Sequence, residues 1–354
     1  MSFRHNQNVC MNNPILSIII PVYNLGHYLK ECLDSIYLQQ VDEQIYEIVA
    51  IDDGSTDTSL ACLKEYAKMH SNLQVKYQEN GGVSAARNHA LKLCRGKFVT
   101  FLDGDDALHE NSIQTVIDAI LHNDIFDIMY CRAFKRRLDE KELVEVHSWT
   151  YAFNEQSQYT EKDLYNANFI NGGSVCGGIF RKDFFEQNQL QFAEGVANGE
   201  DTIFTYLMYA RHPHIIFRNI MLTVINVREG SATHDCTMTR VSRLENNLLY
   251  LIRQRKLHGK KPSMTNAIDK AAYHSIMLAI EMYLNIATKP SLKDLYNILH
   301  IGEICPLHLY DAPLHQRVKS FLINLNFPLC VKLIELENWK NKQANRFRNG
   351  GLNN

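Results

Sequence analysis

Short apolar runs and segments of helical period alternate through the first two-thirds of the chain. Ser17–Val22, Glu47–Ile51, Leu73–Tyr77 and Lys97–Leu102 read as strands, whereas His27–Leu38, Thr58–His70, Val83–Cys94 and Asn111–His122 read as helices. Repeated strand–helix alternation predicts parallel βαβ units with helices covering both faces of the sheet. Ile125–Phe134 and Ile215–Val227 predict further strands, and Asp201–Ala210 a helix. The pattern changes near residue 235. Beyond it strand signals fade, and Arg240–Lys256, Ala267–Ala287 and Gln316–Lys342 keep mainly helical spacing, the last interrupted near Pro328. No repeat and no low-complexity segment interrupts this order.

Composition narrows the classes. Of 354 residues, 45% are hydrophobic and 21% charged, enough apolar side chain for a sizeable core. Lys and Arg number 37 against 39 Asp and Glu, so the basic excess of a nucleic-acid-coating domain is missing. No run approaches 18 consecutive apolar residues, and the opening MSFRHNQNVCMNN lacks the apolar stretch of a signal peptide. The nine cysteines are scattered, odd in number and without a C-x-x-C pair, which predicts free thiols in a reducing cytoplasm.

In an open parallel sheet, ligands bind beyond the carboxyl ends of the strands. There the chain places Pro21-Val22-Tyr23-Asn24, Asp52-Asp53-Gly54-Ser55-Thr56-Asp57 and Asp103-Gly104-Asp105-Asp106. One acidic turn is ordinary turn chemistry. Acidic clusters after two neighbouring strands repel each other unless a cation or hydrogen-bond donors compensate them. Carboxylate oxygens suit Mg²⁺ or Mn²⁺, and Gly104 would let backbone approach a ligand closely. Neither a P-loop nor a G-x-G-x-x-G loop is present. Asn80-Gly81-Gly82 precedes a helix bearing Arg87, which either contacts a nucleotide or caps the helix.

Four segments, SIIIPVYN at 17–24, EIVAIDDGSTD at 47–57, NGGVSAARNHAL at 80–91 and GKFVTFLDGDD at 96–106, together resemble the inverting glycosyltransferases of family 2. GEDTIF at 199–204 resembles the acidic motif on that family's acceptor side, and VREGSATH at 227–234 its later arginine–serine segment. The resemblance covers roughly residues 15–235 and implies a GT-A fold: a Rossmann-like α/β domain with a mostly parallel sheet flanked by helices. Its nucleotide-sugar half would span about 15–106 and its acceptor half about 107–235, followed by a helical region over 236–354.

The resemblance also implies a division of labour. Pro21 and Tyr23 would border the base and Asp53 would accept N3–H of uracil from a UDP-sugar; adjacent Asp52 joins the nucleotide-binding candidates, while alternate strand residues face opposite sides. Asn80, Arg87, Asp103 and Gly104 would complete the nucleotide site. Asp103, Asp105 and His234 would hold Mn²⁺ or Mg²⁺, and Asp106 would support the loop or touch the donor sugar. Asp201 would be the general base that activates the acceptor hydroxyl, with Glu200 orienting it or taking its place. The implied acceptor is a glycan or lipid-linked glycan in surface-polysaccharide assembly. The segment Val175–Arg181 departs from the family by carrying Gly177-Gly178, which either opens room for an acceptor or allows tight strand packing.

Two further classes use similar residues. A sugar-nucleotide pyrophosphorylase would need a glycine-rich loop after the first strand, and a non-catalytic glycan-binding module would share the fold without turnover. From His315 onward, seven Lys and Arg face two Glu, interleaved with apolar residues at helical spacing. That segment either rests peripherally on an anionic membrane or packs on the protein or on a second copy.

Overall fold

The runs LSIIIPV and YEIVAIDD, buried at every position, become the central strands β1 (Leu16–Val22) and β2 (Tyr46–Asp53) of the computed structural model. Strands buried on both faces need continuous rather than alternating apolar sequence. The structure describes residues 13–122, 125–137, 143–146, 158–160, 163–164, 175–196, 198–227, 238–286 and 289–350. These fall into two compact units. The first collects the described residues up to 160, 175–195 and 212–227, and the second chiefly 198–211 and 238–350.

In the first unit, α1 (Leu29–Tyr37), α2 (Ser59–Met69) and α3 (Val83–Leu93) connect β1, β2, β3 (Leu73–Gln78) and β4 (Phe98–Phe101). Helix α1 buries Leu29, Cys32, Leu33 and Ile36, the i, i+3, i+4, i+7 stripe of a helix lying on a sheet. Helix α3 buries Ser84, Ala86 and Ala90, small residues that bring its backbone close to β1 and β2. There follow β5 (Ala107–Leu108), α4 (Ser112–His122), β6 (Ile128–Arg137), β7 (Leu143–Glu145), β8 (Gly178–Arg181), α5 (Lys182–Gln187) and, beyond α6 (Glu200–Tyr209) of the second unit, β9 (Ile215–Val227).

The sheet runs β3-β2-β1-β4-β8-β6-β9-β5, with β7 added to β6. Strands β3, β2, β1 and β4 are mutually parallel, as the alternation predicts. Strand β8 then runs antiparallel to both β4 and β6, so the sheet as a whole is mixed. Strands β5, β7 and β8 and helix α5 escape sequence reading because two to six residues hold too few positions for a period to show. Gly178 opens β8 because packing requires it: a Cβ there would sit 2.3 Å from the Phe180 ring.

The second unit is helical. Helix α6 buries every residue from Thr202 to Tyr209 and packs on α8 (Pro262–Asn285), which pairs with α7 (Met238–His258). Asp269 on α8 is buried and pairs with Arg255 of α7, while its other oxygen accepts the His308 N–H at 2.9 Å. Helix α9 (Leu292–Ile298) starts with a capping box in which Ser291 and Asp294 bond each other's backbone N–H. After the short α10 (Ile301–Ile304) come α11 (Leu314–Leu325) and α12 (Phe327–Gly350). The interruption expected near Pro328 falls at Asn326, whose side chain accepts the Leu329 N–H at 3.1 Å. Among the described residues, no helix is long and apolar enough to cross a membrane.

Candidate functional site

The strand order sets the loops after β2, β1 and β4 side by side, since β1 lies between the other two and all three point the same way. This carboxyl-edge rim gathers Asp52–Asp57, Pro21–Asn24 and Asp103–Asp106.

The loop after β2 holds itself and its neighbour. Asp52 is fully buried, and its Oδ1 accepts the Ser55 N–H at 3.0 Å, closing the turn. Its Oδ2, also buried, has no hydrogen-bond partner among the described residues. Gly54 occupies φ +78°, and a Cβ there would meet the Asn80 backbone nitrogen at 2.9 Å, so conformation and space both demand glycine. Asn24 Oδ1 accepts the Thr56 N–H at 2.8 Å, and Asp57 Oδ2 accepts the Gly26 N–H at 2.9 Å. Ser59 Oγ accepts the Leu25 N–H at 2.8 Å. Burial works against the Asp57 charge, yet hydrogen bonds from Ser59 and the Gly26 N–H hold its carboxyl below the ordinary range.

Asp53 faces the loop after β3. It accepts from Gln78 Nε2 at 2.7 Å, Gly81 N at 2.9 Å and Gly82 N at 2.8 Å. The amide of Gln78 is turned by His89, whose Nδ1 lies 2.8 Å from Gln78 Oε1. Because a carboxylate offers about four lone-pair directions, three donors leave Asp53 one acceptor site.

The acidic loop after β4 is braced from both sides. Arg87 on α3 is 2% exposed; it donates to Asp103 Oδ1 at 2.9 Å and lies 5.3 Å over the Phe192 ring. Its neighbour Asn88 clamps residue 192, donating to the Phe192 carbonyl at 2.9 Å and accepting its N–H at 2.8 Å. From β9, Asn226 donates its N–H to Asp106 Oδ1 at 3.0 Å and its side-chain amide to the Asp105 carbonyl at 2.8 Å. Burial, and then the field of Asp106, Asp105 and Asp103, push the nearby Cys32 thiol well up.

Ligand atoms of Asp103, Asp106 and Cys176 all lie within 4.8 Å of one another. The two carboxylate oxygens suit a hard ion such as Mn²⁺ or Mg²⁺, whereas sulfur is a softer donor, and the Cys176 thiol lies 3.8 Å from Asp103 Oδ2, to which it donates.

Residues 17–188 match the profile of "Glycosyl transferase family 2". The chain carries a family 2 glycosyltransferase domain. It is 32% identical over 193 residues to the "Uncharacterized glycosyltransferase EpsJ" of Bacillus subtilis (strain 168), covering 54% of this chain and 55% of EpsJ. It is 40% identical over 100 residues to the "Poly(ribitol-phosphate) beta-glucosyltransferase" of Bacillus spizizenii (strain ATCC 23059 / NRRL B-14472 / W23), covering 28% of this chain and 16% of that protein. The chain thus matches about half or less of the length of these relatives. Residues 1–349 of S. aureus TarS, solved with UDP-GlcNAc, superpose with a TM-score of 0.68 at 19% identity over 92% of both chains, a likeness of fold.

Within the family 2 domain, the nucleotide-site residues expected from sequence gather at one rim. Pro21 is buried at the end of β1, and Tyr23 is exposed beside it. Asn80 is exposed against the Gly54 turn. Arg87 does not cap its helix; it is buried and donates to Asp103. Gly104 is buried, and a Cβ there would meet Leu25 at 3.0 Å and the Pro21 carbonyl at 3.5 Å. Asp105 is half-buried and is not among the three residues that converge, and His234 lies outside the described residues. Glu200 and Asp201 open α6 in the second unit, behind Gly199 at φ +116°. The preceding turn is pinned there by Asn247 of α7, which donates to the Asn198 carbonyl at 3.0 Å.

Sequence reasoning quotes Asp57, Asn88 and Cys176 within its segments without giving them a role, and passes over Gln78 and Asn226. Asp57 leaves a signal as part of the acidic strand end, and Asn226 as a polar residue within an apolar strand.

Proposed function

We propose that the chain transfers a sugar, with inversion, from a UDP-sugar to a hydroxyl of a glycan or lipid-linked glycan in surface-polymer assembly. The observation that carries this reading is the rim itself, where a held Asp53 and an acidic loop braced by Arg87 and Asn226 stand beside the exposed Tyr23. The UDP-GlcNAc bound by TarS and the polymer named for the B. spizizenii relative support the donor and acceptor classes.

Tyr23 offers its ring to the base, and the remaining lone pair of Asp53 accepts N3–H of uracil. Asp103, with Asp105 or with Asp106 and Cys176, would hold Mn²⁺ or Mg²⁺. When bound, that ion stabilises charge growing on the leaving diphosphate. Asp201 takes the acceptor proton as the hydroxyl oxygen attacks the anomeric carbon, and Glu200 orients it. An acceptor carried on lipid places the work at the cytoplasmic face of a membrane.

A panel of nucleotide sugars, assayed for slow hydrolysis with and without Mn²⁺ or Mg²⁺, tests the proposal without knowledge of the acceptor. UDP-sugars should be cleaved only with metal. Cleavage of GDP- or CMP-sugars in preference, or metal-independent cleavage, contradicts it.

A further inference from the structure

Helices α11 and α12 bury one face each and leave the other uncovered. On α11 the buried positions are Gln316, Ser320 and Ile323, whereas Leu314, Val318, Phe321 and Leu325 recur at four- and three-residue steps along the opposite side. Their exposures of 72%, 48%, 61% and 69% show that no described part of the chain covers this stripe. On α12, Phe327, Cys330, Val331 and Ile334 are buried, whereas Leu329, Leu333, Leu336 and Trp339 are exposed. A chain keeping large apolar side chains at successive helical turns in water is normally keeping them for a partner.

The charges say which partner. The two carboxylates of this region are turned to lysines: Glu337 pairs with Lys319 at 2.7 Å, and Glu335 lies 3.8 Å from Lys289. Arg317, Lys332 and Lys340 are exposed and have no carboxylate within ion-pair reach among the described residues. By helical spacing, Arg317 flanks the α11 stripe, while Lys332 and Lys340 fall among the exposed apolar residues of α12. Two protein surfaces meeting through this face would have to desolvate those cations or supply acids for them. An anionic bilayer takes apolar side chains into its acyl boundary while its headgroups meet Arg and Lys, and Trp339 suits the boundary between the two.

We propose that the exposed faces of α11 and α12 form a docking surface for an anionic lipid membrane, which the chain touches without crossing. The inference rests on the lipid-linked acceptor proposed above, since docking confines the enzyme to the surface where such an acceptor resides.

Flotation of the full-length chain with vesicles tests it directly. Binding to phosphatidylglycerol-containing vesicles should exceed binding to pure phosphatidylcholine and should weaken as salt rises. The double substitution Phe321→Asp, Leu325→Asp should lower the partition coefficient at least ~10-fold, as should Arg317→Glu with Lys332→Glu and Lys340→Glu. In a Trp149→Phe background, which leaves Trp339 as the sole tryptophan, emission should shift to the blue on adding vesicles. Absence of wild-type binding, equal binding by the substituted chains, or an unshifted Trp339 overturns the proposal. So does light scattering that shows a dimer dissociated by Phe321→Asp, Leu325→Asp with vesicle binding unchanged, because a second copy then covers the face. UDP binding measured on the same samples separates the two readings: if it persists while flotation fails, only the membrane surface falls.

Discussion

The rim after β1, β2 and β4 and the outer face of α11 and α12 depart from ordinary burial in opposite directions. At the rim, Asp52, Asp53, Arg87 and Asp106 are charged and buried; on the helices, Leu314, Phe321, Leu325 and Trp339 are apolar and exposed. The rim is compensated from within, because Asp53 receives three donors and Arg87 meets Asp103. The helix face has no such compensation among the described residues. Buried charge must be answered by the fold itself or the domain is destabilised, whereas exposed apolar surface costs the monomer little and can wait for a partner. One region is accordingly built before its ligand arrives, and the other is completed by what it touches.

The comparison can be broken first through activity. Asp201→Asn should cut sugar transfer by at least ~10²-fold, the scale of a general base, while UDP affinity and the melting temperature stay close to wild type. Loss on Glu200→Gln alone would move the base to the neighbouring carboxylate. Stability gives the next contrast. Arg87→Met leaves Asp103 facing its own acidic loop and should cost about 2 kcal/mol, below the range for a fully buried pair because Asp103 is 37% exposed. Phe321→Ser should shift stability by no more than about 0.5 kcal/mol in the same thermal or urea unfolding experiment. Comparable losses from both would mean that the helix face is packed after all. Gly54→Ala is expected to cost about 1–3 kcal/mol from its positive φ and the Asn80 contact, and to weaken UDP binding because the turn lies beside Asp53.

The smallest expected effect is in pH dependence, and it has opposite signs in the two units. The folded pKa of Asp57 is depressed, so its contribution is present above the unfolded carboxyl pKa of about 3.9 and is lost as pH falls through the folded value. His300 is raised by the Glu303 carboxylate, against burial and with help from Glu245. Its contribution is complete below the unfolded imidazole pKa of about 6.5 and disappears as pH rises through the folded value. Both groups are partly solvated, so each effect should stay under about 1 kcal/mol. Asp57→Asn should flatten the acid limb of a stability profile, and His300→Gln the neutral one.

How much of the fold and site is legible in the sequence follows the length of each signal. The continuous apolar runs of β1 and β2 and the amphipathic stripe of α1 announce a parallel sheet, and the three acidic or polar strand ends locate its rim. Two-residue β5 and four-residue β8 do not announce themselves, and with β8 goes the antiparallel turn of the sheet. At the site, the types of residue are readable but their targets are not. Arg87 reads as a cation offered to a ligand; only the packing of α3 against Phe192 shows it directed to Asp103. Gly104 reads as room for a ligand, and the space that a Cβ would need there is taken by Leu25. Cys176, just before β8, and Asn226 on β9 join the acidic loop from far away in sequence, and no local pattern carries that information. The basic, apolar C-terminal segment is visible as a composition, but which face of each helix stays uncovered is decided by packing.

The central claim is that the rim reads a uridine diphosphate with a divalent ion. Titration calorimetry of the full-length chain with UDP, GDP and CMP, each with and without Mn²⁺, tests it most directly. UDP should bind tightest, its affinity should fall at least ~10-fold when Mn²⁺ is withdrawn, and Asp103→Asn should remove that metal dependence. Equal affinity with and without metal, or a preference for GDP, would contradict it.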